Sequence, residues 1–538
     1  MIGMAYEEEI ARRRTIAIIS HPDAGKTTLT EKLLLYGGAL QLAGSVTARK
    51  TQRSTTSDWM ELEKQRGISV TSTVLQFEYR DCCVNLLDTP GHRDFSEDTY
   101  RVLMAVDAVV MVIDAAKGIE NQTKKLFEIC RMRGIPIFTF MNKLDRPSRD
   151  PLSLLDELED TLKLRVCAVN WPIGDGADFK GIYDRQANQA HFFERTSHGA
   201  YRAPVALHSV TDPKMRERLP DEMYTQLVDE LELLDIGGEV FDLPEILAGE
   251  LSPVFFGSAI NNFGVQLMLD AILDHAPAPQ PRKSRSETIA PEHPSFSGFI
   301  FKIQSNMDPK HRDQIAFLRI CSGRFERDMR ATHSRTGEQV RLSSSHRVFA
   351  TTRETVNTAY PGDVIGLIGH SEFGIGDTLS EDPEILYDEM PQFVPEHFAT
   401  LHNPEPSKYK RFQAGTQHLL QEGALQAFYF PTSAQSAPIL GAVGILQYDV
   451  FKHRMENEYG ASVRLDPTPF RFIRWVDETG DAEPVPENMM FPTGCRLAYD
   501  LLKRKVLLFD SEWGVKYFCD LHPKKRLLEL PKPPTGEG

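Results

Sequence analysis

An apolar run of strand length, Thr15-Ile16-Ala17-Ile18-Ile19, passes without a break into Ser20-His21-Pro22-Asp23-Ala24-Gly25-Lys26-Thr27 and then into a helical pattern from Thr28 to Tyr36. A strand, a glycine-containing loop ending in Lys-Thr and a helix together point backbone N–H groups and the positive end of the helix at an anion. That requirement places the amino-terminal part among the open α/β folds with a phosphate-binding loop. Ser20, His21, Pro22, Asp23, Ala24, Gly25, Lys26, Thr27 and Thr28 are the expected cradle. The Lys26 ammonium is expected to reach β and γ oxygens, and the Thr27 hydroxyl to face magnesium. Such loops open with glycine, whereas this chain has Ser20 there. The plainer alternative is a strand-to-helix turn with a solvent lysine.

Four more strings follow in order: Arg66-Gly67-Ile68-Ser69, Asp88-Thr89-Pro90-Gly91-His92, Asn142-Lys143-Leu144-Asp145 and Ser258-Ala259. Asp88 closes the apolar run Val84-Asn85-Leu86-Leu87, so it belongs at the carboxyl end of a strand, where such sheets place ligands; it is expected to hold magnesium through water. Thr89 and Pro90 continue that loop, and Gly91, lacking a Cβ, lets its N–H approach a γ-phosphate. His92 is expected to position the attacking water, with a surface histidine beside a turn as the alternative. Asp145 identifies the base. Its acceptor-only carboxylate takes the adjacent N1–H and exocyclic amine of guanine, whereas adenine offers an acceptor at N1. Asn142 supports the other purine edge and the phosphate loop, Lys143 lies over the base, and the Ala259 N–H reaches the guanine oxygen after Ser258. Ser258-Ala259 follows the apolar run Val254-Phe255-Phe256. From Gly37 to Gly67 the chain is polar, with no sustained apolar period, as fits a switch ordered by ligand. Ser69 is the expected magnesium ligand and γ-phosphate sensor, and Thr71 is its rival with the same chemistry. The ordered set implies a guanine nucleotide switch using GTP, GDP and Mg2+.

These strings resemble those of the translational GTPases, and most closely those of the class-II release factors. The likeness rests on Ser-His-Pro-Asp-Ala-Gly-Lys-Thr from Ser20, on serine at Ser69, on Asp-Thr-Pro-Gly-His-Arg-Asp-Phe-Ser-Glu-Asp-Thr-Tyr from Asp88, and on Asp114-Ala115-Ala116-Lys117-Gly118; it extends to about Phe518. The resemblance implies a ribosome-stimulated GTPase with Lys26, Gly91 and His92 in the catalytic site. It also implies the ribosome and the codon-reading class-I release factors as partners, and a monomer.

Composition agrees and sets limits. The chain of 538 residues is 41% hydrophobic and 25% charged, enough for about three or four domains of a soluble globular protein. Seven cysteines without metal-like spacing, two of them in the strand pattern around Cys82-Cys83, read as buried thiols in a reducing compartment. Met1 to Arg14 carries charge runs in place of a secretory apolar core, and Val102 to Ala116 is interrupted by Asp107 and Asp114, so a cytoplasmic protein without a membrane span is expected. The net charge of −15 opposes general nucleic-acid affinity. Two local basic groups, Lys408-Tyr409-Lys410-Arg411 and Lys503-Arg504-Lys505, are candidates for an RNA-facing surface or for solvated faces.

The expected architecture is a multidomain α/β protein. A GTPase domain over 1–280 carries an insertion at about 165–250, followed by a β-barrel over 295–390 and a C-terminal α/β sandwich over 395–538. Helix is expected from Pro151 to Leu164 and added strands from Asn170 to Arg195. A Pro- and Ser-rich linker from Ala276 to Pro294 precedes barrel strands at Gly298–Ile303, Ile315–Ile320 and Val364–Ile368. In the C-terminal part, helices are expected over Lys408–Gln421 and Gln447–Glu458, among strands at Ala424–Phe430, Pro438–Leu446 and Ala461–Leu465. Only about 140 residues follow Pro395, so elongation-factor-G-like translocation is not expected. No Gly-Gly-Gln occurs, so the chain is not expected to hydrolyse peptidyl-tRNA itself. What remains is recycling of codon-reading factors after peptide release. The alternatives are another ribosome-associated GTPase, in rescue, assembly or a translocation-like step, and a non-hydrolysing GTP-binding scaffold.

Overall fold

The computed structural model describes residues 2–37, 71–192, 207–305, 314–349, 352–387, 390, 393–431 and 437–531. Ser69, the string from Arg66, most of the expected switch segment and Phe193 lie outside the described residues.

The first sheet has seven strands in the order Thr73–Tyr79, Cys82–Asp88, Arg13–Ser20, Ala108–Asp114, Ile137–Asn142, Leu251–Phe256 and Arg165–Ala168. All neighbours are parallel except the first pair, which forms an antiparallel edge. The inner strands are apolar at nearly every position because both faces are covered. Alternate residues of Arg13–Ser20 go to opposite layers: Ala17 and Ile19 join one core, Ile16 and Ile18 the other. That first strand has later strands on both sides, so the loop leaving it opens at the point where the topology reverses.

The helix Pro151–Leu162 starts with proline after an Asp150 cap and ends before Lys163, which is in left-handed conformation, just short of the expected Leu164. Beyond it, a four-stranded antiparallel sheet combines Leu207–His208, Gln189–Phe192, Gly181–Asp184 and Asn170–Ile173, and the helix Asp221–Gly237 follows. The Trp171 indole is fully buried and donates to Glu230 of that helix at 2.7 Å.

The expected linker is a structured strap. Arg282–Lys283 pairs with Thr288–Ile289, and Arg282 donates to the carbonyls of Met104 and Val106 and to Asp107. An eight-stranded antiparallel sheet of barrel type follows, built around Ser297–Ser305 and Gln314–Ser322, with its own core of Phe296, Ile300, Leu318, Ile320, Phe325 and Leu379.

The C-terminal part holds two four-stranded sheets where the sequence suggested one. The first combines Gln426–Phe428, Ile439–Ala442, His397–His402 and Arg464–Pro467 with the helices Tyr409–Gln421 and Ile445–Asn457. The second combines Cys495–Tyr499, Lys505–Phe509, Phe472–Asp477 and Arg526–Leu528, with the helix Glu512–Leu521 on its outer face. Phe398, Phe428, Ile473, Trp475 and Leu508 form the layer between them. Lys503-Arg504-Lys505 is the turn into a strand of the second sheet, where Arg504 pairs with Asp500 and Lys505 with Glu478, both at 2.7 Å. Five cysteines are buried as expected, Cys82 is half-buried, and Cys519 is exposed.

Candidate functional site

The nucleotide-binding strings converge at the carboxyl ends of adjacent strands. Ser20 ends its strand, buried. His21 is fully enclosed, neither ring nitrogen has a protein hydrogen-bond partner, and burial holds its pKa below the ordinary value despite Glu120 nearby. Pro22 is half-buried and Asp23 exposed, with a positive φ of 65°. Ala24 is buried. Gly25 caps the helix Lys26–Tyr36 at φ 97°, and a Cβ there would run into the Asn142 amide. Two constraints therefore ask for glycine at this position, a left-handed backbone and a close approach. Lys26, 6% exposed, opens the helix with its ammonium 2.5 Å from Asp88 Oδ1, while Thr27 and Thr28 stand half-buried in the same turn.

Asp88 aligns with Ile18 across the parallel ladder. The Thr89 hydroxyl donates to the Ile18 carbonyl at 2.7 Å, and Pro90 accepts from Thr99 at 3.1 Å; both bonds hold the loop against its neighbours. Gly91 lies over Pro22, and a methyl group there would meet it at an ordinary 3.6 Å. The protein itself thus tolerates a side chain at 91, so any need for glycine comes from the ligand side. His92 is half-buried, and its Nδ1 accepts from the Asp94 N–H at 3.2 Å.

Asn142 is the hinge of the arrangement. Its Nδ2 donates to the Ala24 carbonyl at 2.8 Å, and its Oδ1 accepts from the Ala259 N–H at 2.9 Å. One side chain thus ties the loop after the first strand to the loop after Leu251–Phe256. Lys143, at φ 73°, donates to the Asp23 carbonyl and to Asp114 Oδ2 at 2.9 Å. Asp114 has no role predicted from sequence, although it stands in one of the strings that carry the resemblance. Burial alone would raise its pKa, but the bonds from Lys143 and the Ala116 N–H hold it below the usual carboxylate value. The Ser258 hydroxyl donates to Asp145 Oδ1 at 2.5 Å and so fixes that carboxylate, whose other oxygen has the Arg146 guanidinium 4.0 Å away. Thr71, the rival to Ser69, lines a cavity together with Phe95, Asp98 and Lys302, none of which belongs to the phosphate or base loops.

The donor set suits a magnesium-bound nucleotide: an ammonium and loop N–H groups for the anion, a threonine hydroxyl and an aspartate oxygen for a hard cation, and an oriented carboxylate for a base edge. Sequence reasoning missed Asp114 and Asp94, whose partners lie 29 and 352 residues away.

Comparison with known proteins agrees along the chain. The model of the elongation factor Tu GTP binding domain matches residues 11–278, elongation factor G domain 2 matches 295–382, and the C-terminal domain of class II release factor RF3 matches 387–519. A protein from Synechococcus elongatus named peptide chain release factor 3 is 53% identical over 531 residues, covering 99% of this chain and 95% of the relative. Proteins of the same name from Gloeobacter violaceus and Rippkaea orientalis are 53% identical (97% of this chain, 98% of the relative) and 54% identical (99% and 98%). A solved structure from Thermus thermophilus superposes with a TM-score of 0.68 over 87% of this chain and 71% of its own length; at 24% identity it speaks for the fold alone.

Proposed function

This chain belongs to the peptide chain release factor 3 family of translational GTPases, and from that premise we propose that it acts in termination on the ribosome, using GTP to dislodge and recycle codon-reading class-I release factors after peptide release. The observation that carries the nucleotide part is the Asn142 bridge, which holds phosphate loop and base-reading loop in one frame. Lys26 and the loop N–H groups hold the phosphates, and Asp145, set by Ser258, takes the guanine edge. Lys143, fixed by Asp114, lies along the base. An adenine in that place leaves donors or acceptors unpaired at about 1–3 kcal/mol each, so GTP is selected.

Thr27 and Asp88, with Ser69 or Thr71, would hold magnesium, which when bound neutralises charge shared by the β and γ oxygens. Gly91 gives its N–H to the γ-phosphate, and His92 places the water. Loss of the γ-phosphate releases these loops, and a domain arrangement that favours ribosome binding gives way to one that favours departure. Without the ribosome, turnover is expected at about 10⁻⁴ to 10⁻² per second. No helix among the described residues is long and apolar enough to cross a membrane.

The test is GTP turnover by the full-length protein, alone and with ribosomes halted at a stop codon with a codon-reading release factor bound, while that factor's dissociation is followed. Stimulated turnover with faster dissociation is expected. Turnover without dissociation would move the chain to another ribosomal role, and no turnover would make it a scaffold.

A further inference from the structure

One residue outside the strings assigned to the nucleotide joins the hydrolytic loop to the C-terminal domain. Asp94 lies in the 3-10 turn Arg93–Phe95, which begins immediately after His92. Its backbone N–H donates to His92 Nδ1 at 3.2 Å. Its side-chain Oδ2 accepts from the N–H of Leu446 at 2.9 Å, in the first turn of the C-terminal helix Ile445–Asn457. Gly444, just before that helix, comes so near that a Cβ would overlap the Asp94 carboxyl group. Phe95, 5% exposed, closes the contact against Leu446 and Val450. The main chain of Asp94 thus holds the His92 ring while its side chain is held by another domain.

The chemistry of the ring gives this linkage its meaning. An imidazole nitrogen that accepts a hydrogen bond carries no proton, so neutral His92 in this arrangement keeps its proton on Nε2, which is then the nitrogen that can donate. Asp94 Oδ1 stands 3.6 Å from Nδ1, beyond a good hydrogen bond, while its sister oxygen is engaged by Leu446. A carboxylate freed from Leu446 is close enough to turn toward Nδ1. There it would accept a hydrogen bond from an Nδ1–H and favour the other tautomer.

We propose that Asp94 is a positioning residue for GTP hydrolysis, and that the C-terminal domain, through the Leu446 N–H, sets the tautomer and direction of the His92 ring. The inference rests on the reading above in which His92 places the water. It makes the docking of the C-terminal domain a variable that the hydrolytic site reads directly, with no need for a change at the nucleotide.

The test uses the full-length protein on stop-codon ribosomes carrying a codon-reading release factor, with kcat and the KM for ribosomes measured for Asp94→Ala, Asp94→Asn and His92→Ala, and GDP affinity as the check of fold. Asp94→Ala is expected to lower kcat about tenfold at saturating ribosomes, with the KM for ribosomes and the GDP affinity within twofold of the parent. Asp94→Asn keeps an oxygen for the Leu446 N–H and is expected to retain at least half of kcat. An unchanged kcat in Asp94→Ala would overturn the proposal. So would a loss confined to a raised KM, which is the mark of weaker docking alone, or an Asp94→Asn variant as impaired as the alanine. Full stimulated turnover by His92→Ala would instead remove the role of His92 and, with it, this inference. Should Asp94→Ala lose GDP affinity, Gly444→Ala in the other domain carries the same expectation.

Discussion

The nucleotide domain meets its two neighbours in chemically different ways. Toward the barrel, the contacts include buried ion pairs near the amino ends of the strands. Asp107, just before Ala108–Asp114, pairs with Arg319 at 2.5 Å and with Arg282 at 3.1 Å, and Arg13 pairs with Asp363 at 2.9 Å beneath the Tyr360 ring. Toward the C-terminal domain, the contacts lie near the loop of His92 and depend on single groups: the Leu446 N–H on Asp94, Arg101 on the Gly423 carbonyl at 3.0 Å, and Tyr100 stacked on Phe393. A cleft lined by Phe95, Glu97, Lys302, Leu425 and Arg454 runs through this second contact. Charges already buried and paired are costly to separate, whereas a contact made of single hydrogen bonds is cheaper to break. The two contacts therefore differ in kind: the one with the barrel buries charges that are costly to uncover, and the one with the C-terminal domain rests on single groups close to His92.

Substitutions that act on one side only would sharpen this contrast. His92→Ala has the largest expected effect, a loss of about 10² to 10⁴ in ribosome-stimulated kcat with GTP binding and thermal stability retained; quench-flow hydrolysis and a melting curve on the same preparation check it. Asp107→Ala acts on the other side. It leaves Arg319 and Arg282 without their carboxylate and is expected to cost about 3–5 kcal/mol of stability in denaturant unfolding, while kcat of the protein that remains folded stays near the parent's. A kcat loss as large as that of His92→Ala would break the comparison.

A smaller effect is expected at the second contact. Burial pushes the Glu97 carboxyl up to about 7, against the pull of Arg101 and with a small push from Asp98. A carboxyl with a raised folded pKa contributes fully below its unfolded pKa, loses that contribution as pH rises to about 7, and is flat above it. Glu97→Gln removes this slope. Its stability relative to the parent is expected to rise by up to about 3 kcal/mol between pH 4.5 and 7 and then level off; unfolding midpoints at pH 5 and 8 measure the difference.

Much of the nucleotide site is legible in the sequence because its residues act through local spacing. A loop that must follow a strand and open a helix constrains Ser20 to Thr28 within one short string, and Asn142 and Asp145 share another. What escapes depends on partners brought together only by folding. Lys143 needs Asp114 from the neighbouring strand, and nothing in the composition around His92 announces Leu446. The second C-terminal sheet is hidden for a related reason: Lys503-Arg504-Lys505 reads as a surface charge run, and only the pairing with Asp500 and Glu478 shows it as a turn into a strand. The strap at Arg282 reads as a linker because proline and serine mark irregular backbone, not the absence of tertiary contacts.

The claim that the C-terminal domain governs hydrolysis is tested most directly by the ribosome-stimulated kcat of Gly444→Ala. The substituted residue lies in the C-terminal domain, its backbone at φ −137° and ψ 153° accepts alanine, and the added methyl group presses on the Asp94 carboxyl group. The account predicts a kcat about tenfold below the parent's, with GTP affinity unchanged. A kcat equal to the parent's, in a protein whose melting point has fallen, would show that this contact holds the domains together and does nothing for the chemistry.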